Sequence, residues 1–180
     1  MQRRFLLAAG LALLAPPAWA DAVRMYSYDP ANAETKAAAG PLTFEFRQGL
    51  FHTTMISVRA TEAQATANLK SATERDLGPA GLTPLIGARA TGRDLYEVKA
   101  DQDGGALIAA FCPGATRAWM AFGKPRPYGD LRVYVLGPAA DGGPVRLCRT
   151  FDFSFHGAWR MPAGRGVTPD LTPQSPLPRY

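Results

Sequence analysis

The chain has 180 residues, 47% of them apolar and 19% charged, a balance that excludes a disordered polyelectrolyte and leaves enough apolar surface for the core of one domain. Its formal net charge of +5 is too small an excess for a dedicated nucleic-acid binder, and no nucleic-acid partner is expected. With 18 glycines and 16 prolines, the composition favours turns and short strands over long helices.

In chain order, the first segment reads as an export signal. Arg3 and Arg4 precede an apolar run from Phe5 to Ala15, then Pro16 and Pro17, then Ala18 and Ala20 before Asp21. Positive charge, short apolar core, helix breaker and small-x-small spacing form the secretory pattern, with cleavage between Ala20 and Asp21. The eleven-residue run from Phe5 to Ala15 would span about 16 Å as a helix, roughly half a bilayer's hydrocarbon core. It therefore reads as a signal and not as an anchor. No Cys stands near the cleavage point, which disfavours a lipoprotein. "RRFLL" matches a twin-arginine signal only in part. Residues 1–20 are expected to be removed, leaving one globular domain over 21–160 and a tail over 161–180. Losing Arg3 and Arg4 lowers the formal net charge from +5 to +3. The expected location is the periplasm or the cell exterior, with no transmembrane segment in the mature chain.

"VRMYSYD" (23–29) alternates and reads as a strand. "DPANAETKAAAG" reads as a short helix, with Asp29 as cap, Pro30 at the first position and Gly40 as stop. "LTFEFR" places Leu42, Phe44 and Phe46 on one parity, and "TTMISVRA" places Ile56 and Val58 together, so the two read as a hairpin. From Glu62 the alternation of alanines to Leu69 suggests a strand. "SATE" then has the form of a capping box, Ser71 to Glu74, opening a helix over 72–77. One longer helix from Glu62 is the alternative. "GLTPLIG" reads as a loop or a single turn.

The second half reads as a meander: "DLYEVK", "ALIAAF", "RAWMAF", "LRVYVL" and "VRLCRTFDFSFH", separated by segments rich in Gly, Pro and Asp. "GALIAAF" is short enough to be a helix instead. Beyond Trp159, "RMPAGRGVTPDLTPQSPLPRY" is rich in Pro and Gly and is expected to be extended or disordered. The expected fold is a β-dominated, mostly antiparallel α+β domain with one or two short helices, and a β-sandwich is the alternative.

Cys112 and Cys148 are the only cysteines. In an oxidising compartment such a pair is expected to form a disulfide, worth about 3–4 kcal/mol in the chain-entropy description. In "FDFSFH", Phe151, Phe153 and Phe155 share one face of a strand, and Asp152, Ser154 and His156 share the other. A hydrolytic triad needs His between Ser and Asp, but here Ser is in the middle and His156 starts about 13 Å from Asp152. The trio reads as the wet side of a strand. Cys148 has the parity of that wet side, which requires either a bulge near Arg149–Thr150 or a bridge across the outer face. "DQDGG" (101–105) lacks the later ligands of a calcium loop and reads as a turn. His52 lies in a loop, outside any motif. The sequence holds no zinc-ligand set, nucleophile elbow or phosphate loop, so no metal and no cofactor are expected.

One stretch suggests binding. "RAWMAFGKPRPYGDLRVY" (117–134) interleaves Arg117, Lys124, Arg126 and Arg132 with Trp119, Phe122, Tyr128 and Tyr134. Cations among aromatic rings hold anionic or sugar ligands by charge and stacking. Arg117, Trp119, Lys124, Arg126, Tyr128 and Arg132 are the candidate binding residues. The expectation is a non-catalytic binding module of the cell envelope. Its partner would be an anionic glycan, a lipid head group or an acidic protein patch. The alternative is a small periplasmic hydrolase or lyase using His156 or His52.

Overall fold

The computed structural model describes residues 22–48, 53–79, 81–139 and 143–161. The proposed signal segment, its cleavage point at Ala20 and Asp21, His52 and all but the start of the tail lie outside them. The elements are β1 (Ala22–Pro30), α1 (Ala33–Ala38), β2 (Leu42–Gln48), β3 (Thr53–Ala60), β4 (Ala65–Ala72), α2 (Thr83–Ile86), β5 (Asp94–Val98), α3 (Gly104–Phe111), β6 (Ala118–Phe122), β7 (Leu131–Pro138) and β8 (Val145–Met161), with 3-10 turns at Glu74–Leu77 and Gly87–Ala90.

Each strand pairs antiparallel with the next, and β1 pairs with β8, so the sheet closes into a barrel of eight strands in sequential order. This overturns both the open α+β domain and the sandwich. The reason lies in helix length. α1, α2 and α3 hold six, four and eight residues, too little to cover one face of so wide a sheet. Rolling the sheet up buries its apolar face against itself and removes its edges.

Several local assignments also change. The cap of α1 is Asn32, whose side chain accepts from the Thr35 N–H at 2.8 Å, while Asp29 and Pro30 still belong to β1. Gly40 does end this segment, at φ +61°. "GALIAAF" is helical: it is α3, not a strand. The box expected at Ser71 sits two residues later, because β4 runs on to Ala72. The Asp76 carboxylate accepts from both the N–H and the hydroxyl of Thr73, at 2.7 and 3.0 Å.

The interior is filled. Tyr28, Phe44, Phe122, Phe151 and Phe153 point inward and are buried, as are Met120 and Val133. An eight-stranded barrel is just wide enough for its own side chains, and each buried aromatic contributes roughly 1.5–3 kcal/mol. One end is plugged. α3 sends Leu107, Ile108 and Phe111 into the core, with Phe111 against Phe151 at 4.9 Å between ring centroids. Small Ala65 and Ala67 on β4 leave room for this helix; a Cβ on Gly104 would stand 3.4 Å from that of Ala67. α1 is latched at the same end, where Ala31 N–H donates to the Asp152 carbonyl at 2.8 Å and Asp152 N–H donates to the Thr35 hydroxyl at 3.2 Å.

A second apolar layer lies outside the barrel. Residues 74–90, between β4 and β5, lay Leu77, Leu82 and Ile86 over Leu95, Trp119, Ala121, Tyr134 and Leu136 of the β5–β7 wall. The expected disulfide is present, Cys112 to Cys148, with Cα atoms 5.1 Å apart. It ties the end of α3 to β8. In the ladder, Val135 faces Arg149 and Leu136 faces Leu147, so Cys148 is the extra residue of a bulge. That bulge resolves the parity problem, since it frees Cys148 to turn toward α3. Among the described residues no helix is long and apolar enough to cross a membrane.

Candidate functional site

The stretch 117–134 does not form one patch, because β6 carries its first residues and its middle to opposite ends of that strand. Arg117 stands just before β6. Its Nη2 bonds Glu97 Oε1 at 2.8 Å, and its guanidinium lies 4.9 Å from the centre of the Trp119 ring. The bond from Arg117 holds the Glu97 carboxyl below the usual carboxylate range. Trp119 is only 3% exposed, covered by residues 74–90, and its indole N–H has no hydrogen-bond partner among the described residues. Arg117 and Trp119 form one wall of a groove of about 520 Å³, with Leu85, Pro79, Pro138 and Pro144 among its other walls. Further along, Arg132 is paired with Asp152 across β7 and β8. Tyr134 is buried beneath the Arg93 guanidinium. Arg117, Trp119 and Arg132 thus spend their charge or ring surface inside the protein.

The loop after β6 differs. Lys124, Arg126 and Tyr128 are exposed, and neither cation forms an ion pair among the described residues. Tyr128 is 82% exposed and adopts φ +62°, a left-handed conformation that costs a bulky L residue roughly 1–2 kcal/mol. The loop is fixed from below. The Tyr28 hydroxyl donates to the Arg126 carbonyl at 3.3 Å, and the Tyr128 ring packs on Phe155 at 5.3 Å. Burial pushes the Tyr28 hydroxyl up to about 12, so it remains a donor at any physiological pH. The exposed tip of this pinned loop thus carries a strained aromatic ring beside two cations that pair with no acid among the described residues.

The ladder brings further cations to the same end of the barrel. β8 pairs with β7 only as far as Phe153 and then continues beside β1 to Met161. β1 and the second half of β8 therefore run on past the start of β7. On this extension Arg24 and Arg160 are direct cross-strand partners. Arg24 shares the face of Tyr26 and Tyr28, so it points toward the barrel mouth. Its Nε is buried without an acceptor, and Gln48 Oε1, one step away on β2, is buried without a donor. Sequence reasoning missed this pair. The two arginines are 136 positions apart in the chain, and only barrel closure makes them neighbours.

His156 meets a partner that the strand itself could not supply. It is the extra residue of a second bulge, between the pairs Ser27–Gly157 and Tyr28–Phe155, and its Nδ1 lies 2.8 Å from Asp29 Oδ2. Its ring stacks near Trp159 at 6.0 Å. Ser154 faces Asp29 across the ladder but makes no hydrogen bond to the imidazole, so the Ser–His link of a hydrolytic triad is missing. The pair stands on the outer wall, both side chains about half exposed. Asp152 points to Arg132 instead. Among the described residues no group of three or more His, Cys, Asp or Glu side chains could hold a metal ion.

The chain matches no known family model, no curated protein and no solved structure.

Proposed function

We propose that this chain is an exported, non-catalytic binding module of the cell envelope, and that it holds an anionic partner at the basic, aromatic end of its barrel. The observation that carries this reading is the loop 123–130, where Lys124, Arg126 and the strained Tyr128 are exposed while the other candidate residues are engaged internally. The packed interior supports it as well, since a filled barrel presents ligands with its rim and walls. The export signal and the disulfide both suit an oxidising compartment.

The test is retention of the purified protein on immobilised anionic envelope polymers. K124E/R126E should lose retention at low salt, and R132Q/D152N should not, because it removes a pair whose charges already cancel. Unchanged retention of the double variant would remove the proposal. The Asp29–His156 bond keeps a hydrolase in view as the second reading. H156A should leave binding intact, whereas a hydrolytic activity that H156A abolishes would favour the enzyme.

A further inference from the structure

From the Arg24–Arg160 pair we infer that the extension of β1 and β8 is a phosphate-ester site, which deepens and rests on the binding reading above. Arg24 and Arg160 occupy directly opposed positions, where side chains leave the sheet on the same side with Cα atoms about 4.5–5.5 Å apart. Like charges so placed repel one another. Neither forms an ion pair among the described residues, and none of the ion-paired acids, Asp29, Glu97 and Asp152, serves them. The Nε of Arg24 is buried and lacks an acceptor, a group that a folded protein seldom leaves unmet. An anion between the two guanidinium groups removes the repulsion by giving the opposed pair a shared counter-charge.

The donor geometry selects the anion. Each guanidinium presents a planar fork of N–H groups. A carboxylate has two oxygens and fills one fork. A phosphate monoester has three free oxygens around a tetrahedral centre and can serve two forks at once, whereas a diester, with two, cannot. The aromatic pair Tyr26–Phe46, 4.9 Å between centroids, flanks the site on β1 and β2 and offers a surface for the ligand's carbon skeleton. Lys124, Arg126 and Tyr128 stand further along the same face, since Tyr28, which bonds that loop, is four residues from Arg24, about 13 Å along the strand. The ligand class is thus a phosphate monoester, supplied either by a lipid head group or by a soluble phosphorylated compound.

The experiment titrates the chain, as the cell processes it, with glycerol 1-phosphate and with the carboxylate glycerate, and sediments it with vesicles containing phosphatidic acid or of phosphatidylcholine alone. Binding of the phosphate and of phosphatidic acid vesicles, with the soluble ester displacing the vesicles, assigns the site to a lipid head group. Binding of the soluble ester without vesicle binding assigns it to a soluble ester. R24Q and R160Q should each weaken binding about ten- to a hundredfold, and R24K and R160K, which keep the charge and lose the fork, should weaken it as well. R132Q should bind as the wild type. Circular dichroism of each variant shows whether it has folded, and the lysine variants carry the test if a glutamine variant has not. Equal affinity for glycerate and phosphate, wild-type affinity in the folded variants, or vesicle binding indifferent to the soluble ester would overturn the inference. If K124E/R126E abolishes retention on envelope polymers while R24Q and R160Q bind normally, the phosphate site fails and the binding module stands.

Discussion

Replacing both cysteines by alanine, C112A/C148A, isolates what the disulfide does. The bond joins positions 36 apart. The chain-entropy relation then gives about 4 kcal/mol of lost stability. For a domain of this length each kcal/mol shifts Tm by about 2–4 °C, so Tm should fall by roughly 8–16 °C. The structure also says where the loosening should appear. α3 is fixed at its start by the close seat of Gly104 on the Lys99 carbonyl and at its end by Cys112. Without the bond, the end of the plug is held only by Leu107, Ile108, Phe111 and the Cys112 N–H bond to Ile108. Hydrogen exchange should therefore rise first at the amides of Phe111 and of residue 112, whose N–H bonds the Ile108 carbonyl, while β2 and β3 stay protected. Calorimetry with and without reductant, followed by exchange mass spectrometry, makes both measurements. A Tm change under about 3 °C, or exchange rising equally in the β2–β3 hairpin, would show that the bond does not hold the plug.

Two further outcomes follow from single positions. A Cβ at Gly104 would overlap the Lys99 carbonyl oxygen, whereas one at Gly105 would meet only the Ala100 carbonyl at 3.9 Å; Gly104→Ala should cost up to about 3 kcal/mol by forcing α3 off its seat, Gly105→Ala should be neutral or gain up to about 1 kcal/mol, and equal urea midpoints for the two would refute the packing. Glu97 has its folded pKa lowered, chiefly by the hydrogen bond from Arg117, so its contribution is complete above the unfolded value of about 4.3 and disappears as pH falls through the folded value. Because Arg117 is largely exposed, that contribution is at most about 1 kcal/mol. E97Q should be slightly less stable than wild type at neutral pH and equal to it near pH 2, with Trp119 fluorescence reporting release of the guanidinium; a difference that persists at about pH 2 would exclude the ion pair as its source.

The strands were legible because their period is local. Leu42, Phe44 and Phe46 alternate with polar neighbours and do point inward, as do Phe151 and Phe153. Asp152, Ser154 and His156 do take the wetter side. The closure was not legible, because the pairing of β1 with β8 joins the two ends of the domain and leaves no mark in either segment. The same is true of Arg24 and Arg160. Trp119 misled for a related reason. Its outward parity is real, but residues 74–90 cover it, so an apparent ligand-stacking ring is structural. "GALIAAF" was ambiguous because a buried helix of eight residues shows no usable periodicity.

The filled barrel and the placement of charge bear on one question: where a partner can sit. The interior holds a continuous set of buried aromatic rings and the plug of α3, so entry of a ligand would require expelling side chains worth roughly 1.5–3 kcal/mol each. The β5–β7 wall is covered by Leu77, Leu82 and Ile86. The plugged end is occupied by α1 and α3. In the groove beside Trp119 the cation, Arg117, is already paired with Glu97, whereas at the extension of β1 and β8 and the loop 123–130 Arg24, Arg160, Lys124 and Arg126 lack paired carboxylates among the described residues. A surface kept basic without internal neutralisation gains stability when an anion arrives and loses it when salt screens that anion. The extension can then be told from the covered β5–β7 wall in a measurable way: a phosphate monoester should protect the amides of β1 and late β8 and leave those of β5 and β6 unchanged, since the latter are already sealed by their own packing.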